Sequence, residues 1–240
     1  ASLTAGTAAA RVNGQGVTLL NAIGALNFTN LGIYNQNSTG LSVGGMGLAL
    51  SSTAGTVDTV NSTTLSINGS QTDLVLDSVV HSGAGAGVAV TGGLTGIGTG
   101  GRALQVGALN VTSASTNGIS IGGNVNGLIS FGAGSSIAGT AGSAISIGSG
   151  TGTLGFTYNG SVSQANNAAL LSVAGHNGTI TFGAGSTLSA TSGTGLQFDN
   201  ADGTYAFNGT TTLNGGDAGI DILNGSAGSF TFGAGATITS

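Results

Sequence analysis

One short pattern returns along the second half of this chain at an almost constant interval. It is clearest in residues 178–188 (GTITFGAGSTL) and is closely repeated in residues 126–137 (NGLISFGAGSSI) and 228–238 (GSFTFGAGATI). Two looser copies, residues 152–162 (GTLGFTYNGSV) and 203–213 (GTYAFNGTTTL), lie between them. An interval this regular is typical of one structural unit that stacks on copies of itself. The pattern therefore predicts one elongated repeat domain.

Aligning the five copies produces two columns of apolar residues, one aromatic and one aliphatic. Both columns repeat with steps of 25, 26, 25 and 25 residues. The aromatic column consists of Phe131, Phe156, Phe182, Phe207 and Phe232, and the aliphatic column of Ile137, Val162, Leu188, Leu213 and Ile238. Residues that return to the same place in every repeat are expected to stack on one another in the core. Ala133, Ala184 and Ala234 follow three of the Phe residues by two positions and are also expected to face inward.

Each repeat also contains an earlier short segment in which apolar and small polar residues alternate. Nine such segments occur, and they begin at Val17, Leu41, Leu65, Val88, Ile119, Ile145, Leu171, Leu196 and Ile220. Alternation with a period of two predicts short β-strands with one face inward. The step from Val90 to Ile121 is 31 residues, which predicts an insertion at residues 91–101.

Together these patterns predict an all-β fold, a single-stranded parallel β-solenoid with three short strands in each coil. The nine segments predict eight to nine coils of about 25 residues, and a right-handed β-helix is the commoner form of such a fold. Asn-Gly pairs mark the corners, because Asn and Gly adopt positive φ at the lowest cost. Coils stacked at about 4.8 Å make a rod of roughly 40 Å. We expect residues 1–16 to form an irregular segment or a partial coil, and residues 17–240 to form a β-helix without a C-terminal cap.

Charge is scarce and one-sided. The 240 residues include two Arg, no Lys, no Glu and seven Asp, which gives a net charge of −5. A polyanion requires a basic surface, so nucleic acid is excluded as a partner. No stretch approaches the roughly 20 apolar residues of a membrane-spanning helix, so membrane insertion is not expected. Pro and Cys are absent although 49 residues are Gly, so neither a collagen repeat nor disulfide bonds are expected.

The chain resembles the right-handed β-helix passengers of bacterial autotransporters and the filamentous-haemagglutinin-type adhesins built of β-strand repeats. The resemblance covers residues 17–240 and rests on the coil length, the Asn-Gly corners, the bias toward small residues and the near absence of Lys, Cys and Pro. It includes no family-specific motif, so no functional residue is transferred. It implies a secreted bacterial protein, extracellular or on the cell surface. The expected partners are other copies of the chain, end to end or side by side, and glycans or a host surface.

Four of the seven acidic residues lie close together in sequence. They are Asp199, Asp202, Asp217 and Asp221, within 23 residues, and Asp221 is expected to stack one coil away from Gln197. Oxygen ligands of this kind suit Ca²⁺, and a pair of carboxylates suits glycoside hydrolysis. The competing interpretation is a turn in which Asp side chains cap their own backbone. The turn is the favoured interpretation, and Ca²⁺ is the only cofactor that the sequence suggests.

Two histidines and a row of hydroxyl groups complete the candidate features. His81 and His176 lie four coils apart, too far for a shared metal ion, and are predicted to be corner residues. The row flanks the aliphatic column and consists of Ser136, Ser161, Thr187, Thr212 and Thr237. Regular Thr-x-Thr arrays on a solenoid can hold ice-like water, and Thr237 with Thr239 is such a pair. Ordinary solvent-facing strands are the favoured explanation of the rest of the row.

The leading hypothesis is a non-enzymatic extracellular structural protein, a segment of a surface adhesin or of a self-assembling filament. The first alternative is a carbohydrate-active β-helix, a polysaccharide lyase or a tailspike-like glycosidase. Such an enzyme would use the Asp group together with Tyr34, Tyr158 and Tyr205 in an outer groove. The second alternative is an ice-binding solenoid.

Overall fold

The chain winds into a parallel β-solenoid of about nine coils, which confirms the predicted fold class. The computed structural model describes residues 1–148, 150, 153–215, 217 and 219–239. Within these residues there are 28 strands and a single 3₁₀ turn of three residues. Gly152, at the start of one looser repeat copy, and Ser240 lie outside the described residues.

The strands are short, and most contain two to seven residues. In chain order they are β1 Ser2–Ala5, β2 Val12–Asn13, β3 Val17–Leu20, β4 Gly24–Phe28, β5 Asn30–Gln36, β6 Leu41–Gly44, β7 Leu48–Ser52, β8 Gly55–Val60, β9 Leu65–Asn68, β10 Gln71–Gly83, β11 Val88–Gly92, β12 Thr95–Gly96, β13 Arg102–Ala114, β14 Ile119–Ile121, β15 Gly127–Phe131, β16 Ser136–Ile137, β17 Ile145–Ile147, β18 Leu154–Tyr158, β19 Ser161–Gln164, β20 Ala169–Ala174, β21 Thr179–Phe182, β22 Thr187–Ala190, β23 Gly195–Asp199, β24 Thr204–Phe207, β25 Thr210–Asn214, β26 Gly219–Leu223, β27 Ser229–Phe232 and β28 Ala236–Thr239.

The strands form two sheets around one core. The smaller sheet contains nine strands in the order β26-β23-β20-β17-β14-β11-β9-β6-β3. These are the nine alternating segments predicted from the sequence, and they pair in parallel, as Ile145 does with Ile119 on one side and Leu171 on the other. The other nineteen strands form the second sheet. Apolar residues that face inward from both sheets meet in one continuous cluster.

The aromatic column differs from the prediction at one member. Phe131 pairs with Tyr158, not with Phe156, and Tyr158 in turn pairs with Phe182. Phe156 belongs to the neighbouring column, where it pairs with Ile129 and Ile180. The predicted position of Phe156 was therefore wrong by two residues, although its side chain is buried as expected.

The aliphatic column is also divided. Leu188 pairs with Val162 as predicted, but on its other side it pairs with Thr211. Leu213 pairs with Ala190 and with Ile238. Leu213 and Ile238 thus form a second column, two residues along the strand from the one predicted.

Corner length explains both differences. In the regular repeats the second and third strands are joined by four residues, Gly-Ala-Gly-Ser at 132–135 and 183–186. In the two looser copies the connection is only Asn-Gly, at 159–160 and 208–209. When a corner is shorter by two residues, the register of one flanking strand shifts by two residues relative to the neighbouring coil. Since side chains alternate with a period of two, this shift keeps the same face inward.

The aromatic rings stack on one another through the second half of the solenoid. The Phe182 and Phe207 ring centroids are 5.1 Å apart, and those of Phe207 and Phe232 are 4.9 Å apart. Phe232 is partly buried, and the side chain of Ile238 is 58% exposed because no described coil covers it. Ile238 is therefore not a core residue in this structure.

The Gly-Ala-Gly-Ser corner places its serine inward, and its alanine faces the solvent. Ala133, Ala184 and Ala234 are exposed, so the prediction that they face inward was wrong. Ser135 and Ser186 are buried instead. The Ser135 hydroxyl accepts a hydrogen bond from the N–H of Leu109 at 3.0 Å. Ser135 thus satisfies a backbone group from the adjacent coil, whereas the buried Ser186 hydroxyl has no hydrogen-bond partner among the described residues.

The first residues and the insertion both pack onto the solenoid. Within residues 1–16, β1 and β2 pair with the two halves of β5. The insertion at residues 91–101 contains β12, which pairs with β10, and a 3₁₀ turn at Thr99–Gly101. Both segments are therefore extensions of the coil pattern.

Candidate functional site

The predicted Asp group joins two neighbouring coils. The side-chain amide of Asn224 donates to Asp199 at 2.8 Å, and that of Gln197 donates to Asp221 at 2.7 Å. The N–H of Ala227 donates to Asp202 at 2.9 Å. The partners of each bond are 24 or 25 residues apart, so each bond connects one coil to the next. The predicted stacking of Asp221 on Gln197 is confirmed.

The four carboxylates do not form one metal centre. Asp217 lies in an exposed turn, and within the part of the chain that the structure describes no three His, Cys, Asp or Glu side chains gather closely enough to hold a metal ion. Three of the four carboxylates accept a hydrogen bond from the adjacent coil. The observed contacts of these three carboxylates are hydrogen bonds that connect one coil to the next.

Each arginine forms an ion pair with one of the other acids. Arg11 approaches Asp58 at 2.6 Å, and Arg102 approaches Asp73 at 2.6 Å. The hydrogen bonds from Arg102 to Asp73 raise the pKa of the guanidinium. Five carboxylates remain to carry the net charge, and four of these are the predicted group. The negative charge is therefore concentrated in the last two coils.

The imidazole of His81 lies inside the solenoid. His81 belongs to β10 and is fully buried, so the prediction of a corner position was wrong. Its Nδ1 lies 3.1 Å from the hydroxyl of Thr64, which itself donates to the carbonyl of Val80 at 3.2 Å. Burial lowers the pKa of His81, and the carbonyl groups of Gly83 and Ser62 oppose that shift.

His81 ends a polar column within the core. Asn35 pairs with Thr59, and Thr59 pairs with His81, so the three side chains stack in consecutive coils. Oδ1 of Asn35, Oγ1 of Thr59 and Nε2 of His81 are buried and have no hydrogen-bond partner among the described residues. The next residue of the column is Val111, and aliphatic residues follow it. Buried polar atoms without a described partner occur in later coils as well, at His176, Ser186 and Thr211.

His176 lies in a corner, as predicted, but its ring is turned into the core and is only 2% exposed. Its Nδ1 is 3.3 Å from the hydroxyl of Tyr205. That hydroxyl donates to the carbonyl of His176 at 2.7 Å and accepts the N–H of Gly203 at 3.1 Å. Burial lowers the pKa of His176 and raises that of Tyr205. Sequence reasoning missed this cluster, because a contact across 29 residues leaves no local signal.

A small cavity adjoins His176. The volume of this cavity that is open to the centre of a water molecule is about 10 Å³. Its walls come from the corner between the first and second strands of successive coils, where three glycines leave room for it. It is lined by Ile121, Gly123, Val125, Ile147, Gly148, Gly150, Leu154 and His176.

Tyrosines contribute little to the outer surface. Tyr158 and Tyr205 are fully buried, whereas Tyr34 is half-buried. Burial raises the pKa of Tyr158 well above its usual range. The outer groove predicted for a carbohydrate-active β-helix would therefore lack two of its three expected aromatics. The enzymatic alternative itself stays a prediction that depends on the Asp group.

Hydroxyl groups form columns on the outer faces, in a register that differs from the predicted row. Thr187 pairs with Ser161 and Thr210, whereas Thr212 pairs with Ser189 and Thr237. The row is therefore two adjacent columns. Thr210 with Thr212, and Thr179 with Thr181 on the neighbouring face, are further Thr-x-Thr pairs.

The smaller sheet has a similar outer column. It consists of Thr18, Ser42, Ser66, Ala89, Ser120, Ser146, Ser172, Gln197 and Asp221. Six of its nine members carry a hydroxyl group, and only the last is charged. This face of the solenoid is thus polar but nearly neutral.

Comparison of the chain with protein-family models, with curated proteins and with solved structures gives no significant match. Among the described residues, no helix is long and apolar enough to cross a membrane.

Proposed function

We propose that the chain is a non-enzymatic structural part of a secreted bacterial surface protein, either a segment of an adhesin or a unit of a filament built by coil stacking. The continuity of the stacked columns up to the outermost described coil carries the proposal. The ring of Phe232 lies 7° from parallel with that of Phe207, as the ring of Phe207 lies 11° from parallel with that of Phe182. A further coil, from the same polypeptide or from another copy, would bury the partly covered Phe232 and the exposed Ile238 in the same way.

The outermost coil also offers backbone partners. The edge of a parallel sheet presents unpaired N–H and C=O groups, which another strand can satisfy. Around this edge the exposed large apolar residues are Ile222, Leu223 and Ile238. A template that combines backbone groups with apolar side chains favours addition of a coil over binding of a small molecule.

The autotransporter and haemagglutinin resemblance supports the proposed location outside the cell. A chain with no Cys depends on packing and coil-to-coil hydrogen bonds for its stability, and such bonds do not depend on the redox state of the compartment. The nearly neutral hydroxyl faces favour side-by-side packing of rods, because little charge has to be desolvated.

Electron microscopy and sedimentation of the purified chain over a range of concentrations test the filament form. We expect rods longer than a single solenoid, and we expect Phe232→Asp to shorten them, whereas Thr181→Asp on an outer face serves as the matched control. Binding of the labelled chain to host cells and to immobilised glycans tests the adhesin form. Dispersed single rods at every concentration, together with no binding to either surface, would reject both forms.

The Thr-x-Thr pairs favour a second candidate, an ice-binding face. Thr179 and Thr204 are exposed and pair with each other in adjacent coils, and strands in a sheet are spaced at about 4.8 Å. This candidate predicts thermal hysteresis in solutions of the chain, with a loss in Thr179→Lys. Freezing at the equilibrium melting point, with unmodified ice-crystal shape, would exclude it.

A further inference from the structure

The Asn-Gly corners contain the two groups of a reaction that a chain can carry out on itself. The main-chain nitrogen that follows an asparagine can attack the side-chain carboxamide carbon, because the two atoms close a five-membered ring. Glycine at the following position leaves this nitrogen unshielded by a side chain. The reaction is favoured where the glycine N–H is free of hydrogen bonds and the carboxamide is exposed to water. Nine Asn-Gly pairs occur in the sequence, so the dipeptide alone does not select one of them.

The corner at Asn208 and Gly209 combines these conditions. Asn208 is exposed, and its carboxamide forms no hydrogen bond with a described residue. The N–H of Asn208 donates to the carbonyl of Phe182 at 2.9 Å, and the N–H of Thr210 donates to that of Ser186 at 3.0 Å. Between them, the N–H of Gly209 has no partner among the described residues. The corner is thus held at both sides, but its central nitrogen is not engaged.

Other Asn-Gly pairs are protected by the coils beside them. Asn68 lies within β9, and the N–H of Gly69 donates to the carbonyl of Gly92. The carboxamide of Asn224 is held by its 2.8 Å hydrogen bond to Asp199. In each case the reaction first requires a hydrogen bond between coils to break, which slows it.

The other two-residue corner differs from that of Asn208 in its side chain. The N–H of Gly160 also has no partner among the described residues. Asn159, however, is only half-exposed, and its carboxamide oxygen fills the space where a side chain at Gly183 would lie. Packing therefore restricts the carboxamide of Asn159, whereas that of Asn208 is open to solvent.

We propose that Asn208 is a site of spontaneous deamidation. The nitrogen of Gly209 forms a bond to Cγ of Asn208, the carboxamide C–N bond breaks, and ammonia leaves with the proton that Gly209 has lost. Water then opens the cyclic imide at either of its carbonyl groups. The product at position 208 is an aspartate or an isoaspartate, and no oxidant, metal or enzyme is consumed.

The reaction changes the corner in two ways. Either product adds one negative charge, and isoaspartate also adds one carbon atom to the main chain. This corner is one of those whose length determines the register of the following strand, here β25 on β22. We therefore expect the modification to loosen the pairing of β25. The site is independent of the proposed assembly role.

Incubation of the intact chain at mildly alkaline pH tests the site, in native buffer and in urea. Peptide mapping by mass spectrometry, with enzymatic methylation of isoaspartate, compares position 208 with position 68. In urea the two Asn-Gly pairs should react at similar rates. In the folded chain Asn208 should react at least about tenfold faster than Asn68, a ratio that corresponds to about 1.4 kcal/mol. Hydrogen exchange should likewise be faster at the amide of Gly209 than at that of Gly69.

The matched control is Asn208→Gln, because glutamine would have to close a larger ring. Gly209 itself is unsuitable for substitution, since an added Cβ would overlap the carbonyl oxygen of Ser186. The isoaspartate signal of the folded chain should fall in this variant. An unchanged signal in Asn208→Gln would overturn the proposal, as would equal rates at positions 208 and 68 in the folded chain. Both positions are compared in the unaltered chain, so the result does not depend on the folding of a variant.

Discussion

A pair of engineered cysteines would test the observed register at the third strand. Thr187 and Thr210 are both exposed and are direct partners in adjacent coils, so their Cα atoms should be about 4.8 Å apart. Thr212 lies two residues further, which adds roughly 6.6 Å along the strand and makes its distance from Thr187 about 8 Å. A disulfide requires Cα atoms within roughly 4.4–6.8 Å. Thr187→Cys/Thr210→Cys should therefore close, whereas Thr187→Cys/Thr212→Cys should not.

The chain suits this experiment because it has no cysteine of its own. Oxidation at low protein concentration, followed by a count of free thiols and by peptide mapping, reports closure. The closed Thr187/Thr210 variant should be more stable than its reduced form by roughly 3 kcal/mol, the value expected for a loop of this size. If Thr187 bridged to residue 212 as readily as to residue 210, the shorter Asn-Gly corner would not shift the strand and the register argument would be refuted.

Three further predictions concern the core, the titratable groups and the insertion. Phe207→Ala should cost roughly 3–5 kcal/mol in urea unfolding, because its buried ring stacks on two neighbours, and Phe232→Ala should cost less than half as much; equal costs would contradict the stacking argument. Burial lowers the pKa of His81 and His176 below the ordinary value of 6.5, so stability should be complete above pH 6.5 and should decrease as the unfolded chain takes up protons below it. Thermal melts against pH check this, and replacing both histidines by Phe should flatten the decrease. Asp73→Asn should lower the free energy of unfolding by less than about 1 kcal/mol, as expected for a partly exposed ion pair. Amide hydrogen exchange at residues 95–101 should nevertheless become faster in this variant. In Asp58→Asn the faster exchange should instead occur at residues 1–16.

The fold was predictable because stacking repeats the same side chain at the same place. All nine strands of the smaller sheet correspond to segments recognised by alternation alone. The register of the second sheet was predicted less well, at Phe156 and Leu213. Alignment by residue identity puts the Phe residues in one column. A shift of two residues keeps the same side chains facing inward, so the alternation pattern cannot distinguish the two registers. Counting the corner residues, four in Gly-Ala-Gly-Ser and two in Asn-Gly, would have separated them.

The candidate sites were predictable only where they follow the strand register. Asp221 stacks on Gln197 because both occupy the outward position of the same column. The contact of His176 with Tyr205 depends on how a corner folds back over the next coil, which alternation does not describe. The burial of His81 was missed for a related reason. Histidine is usually found at exposed positions, and only the alternation of inward and outward residues along β10 places it in the core.

The two halves of the solenoid achieve a filled interior by different means. In the later coils the interior is completed by rings such as Phe182 and Phe207, whose contacts repeat from one coil to the next. In the early coils a different column, which continues as Val111 and Ile137 in later coils, holds Asn35, Thr59 and His81, whose hydrogen-bonding groups remain partly unsatisfied. Each coil contacts mainly its neighbours, so a local weakness is not compensated from far along the axis. Both arginine pairs, Arg11 with Asp58 and Arg102 with Asp73, lie beside these early coils. The first connects residues 1–16 to β8, and the second connects the start of β13, directly after the insertion, to β10. The ion pairs thus reinforce the part of the solenoid that contains this polar column, whereas the aromatic part has hydrogen bonds to Asp side chains and no ion pair among the described residues.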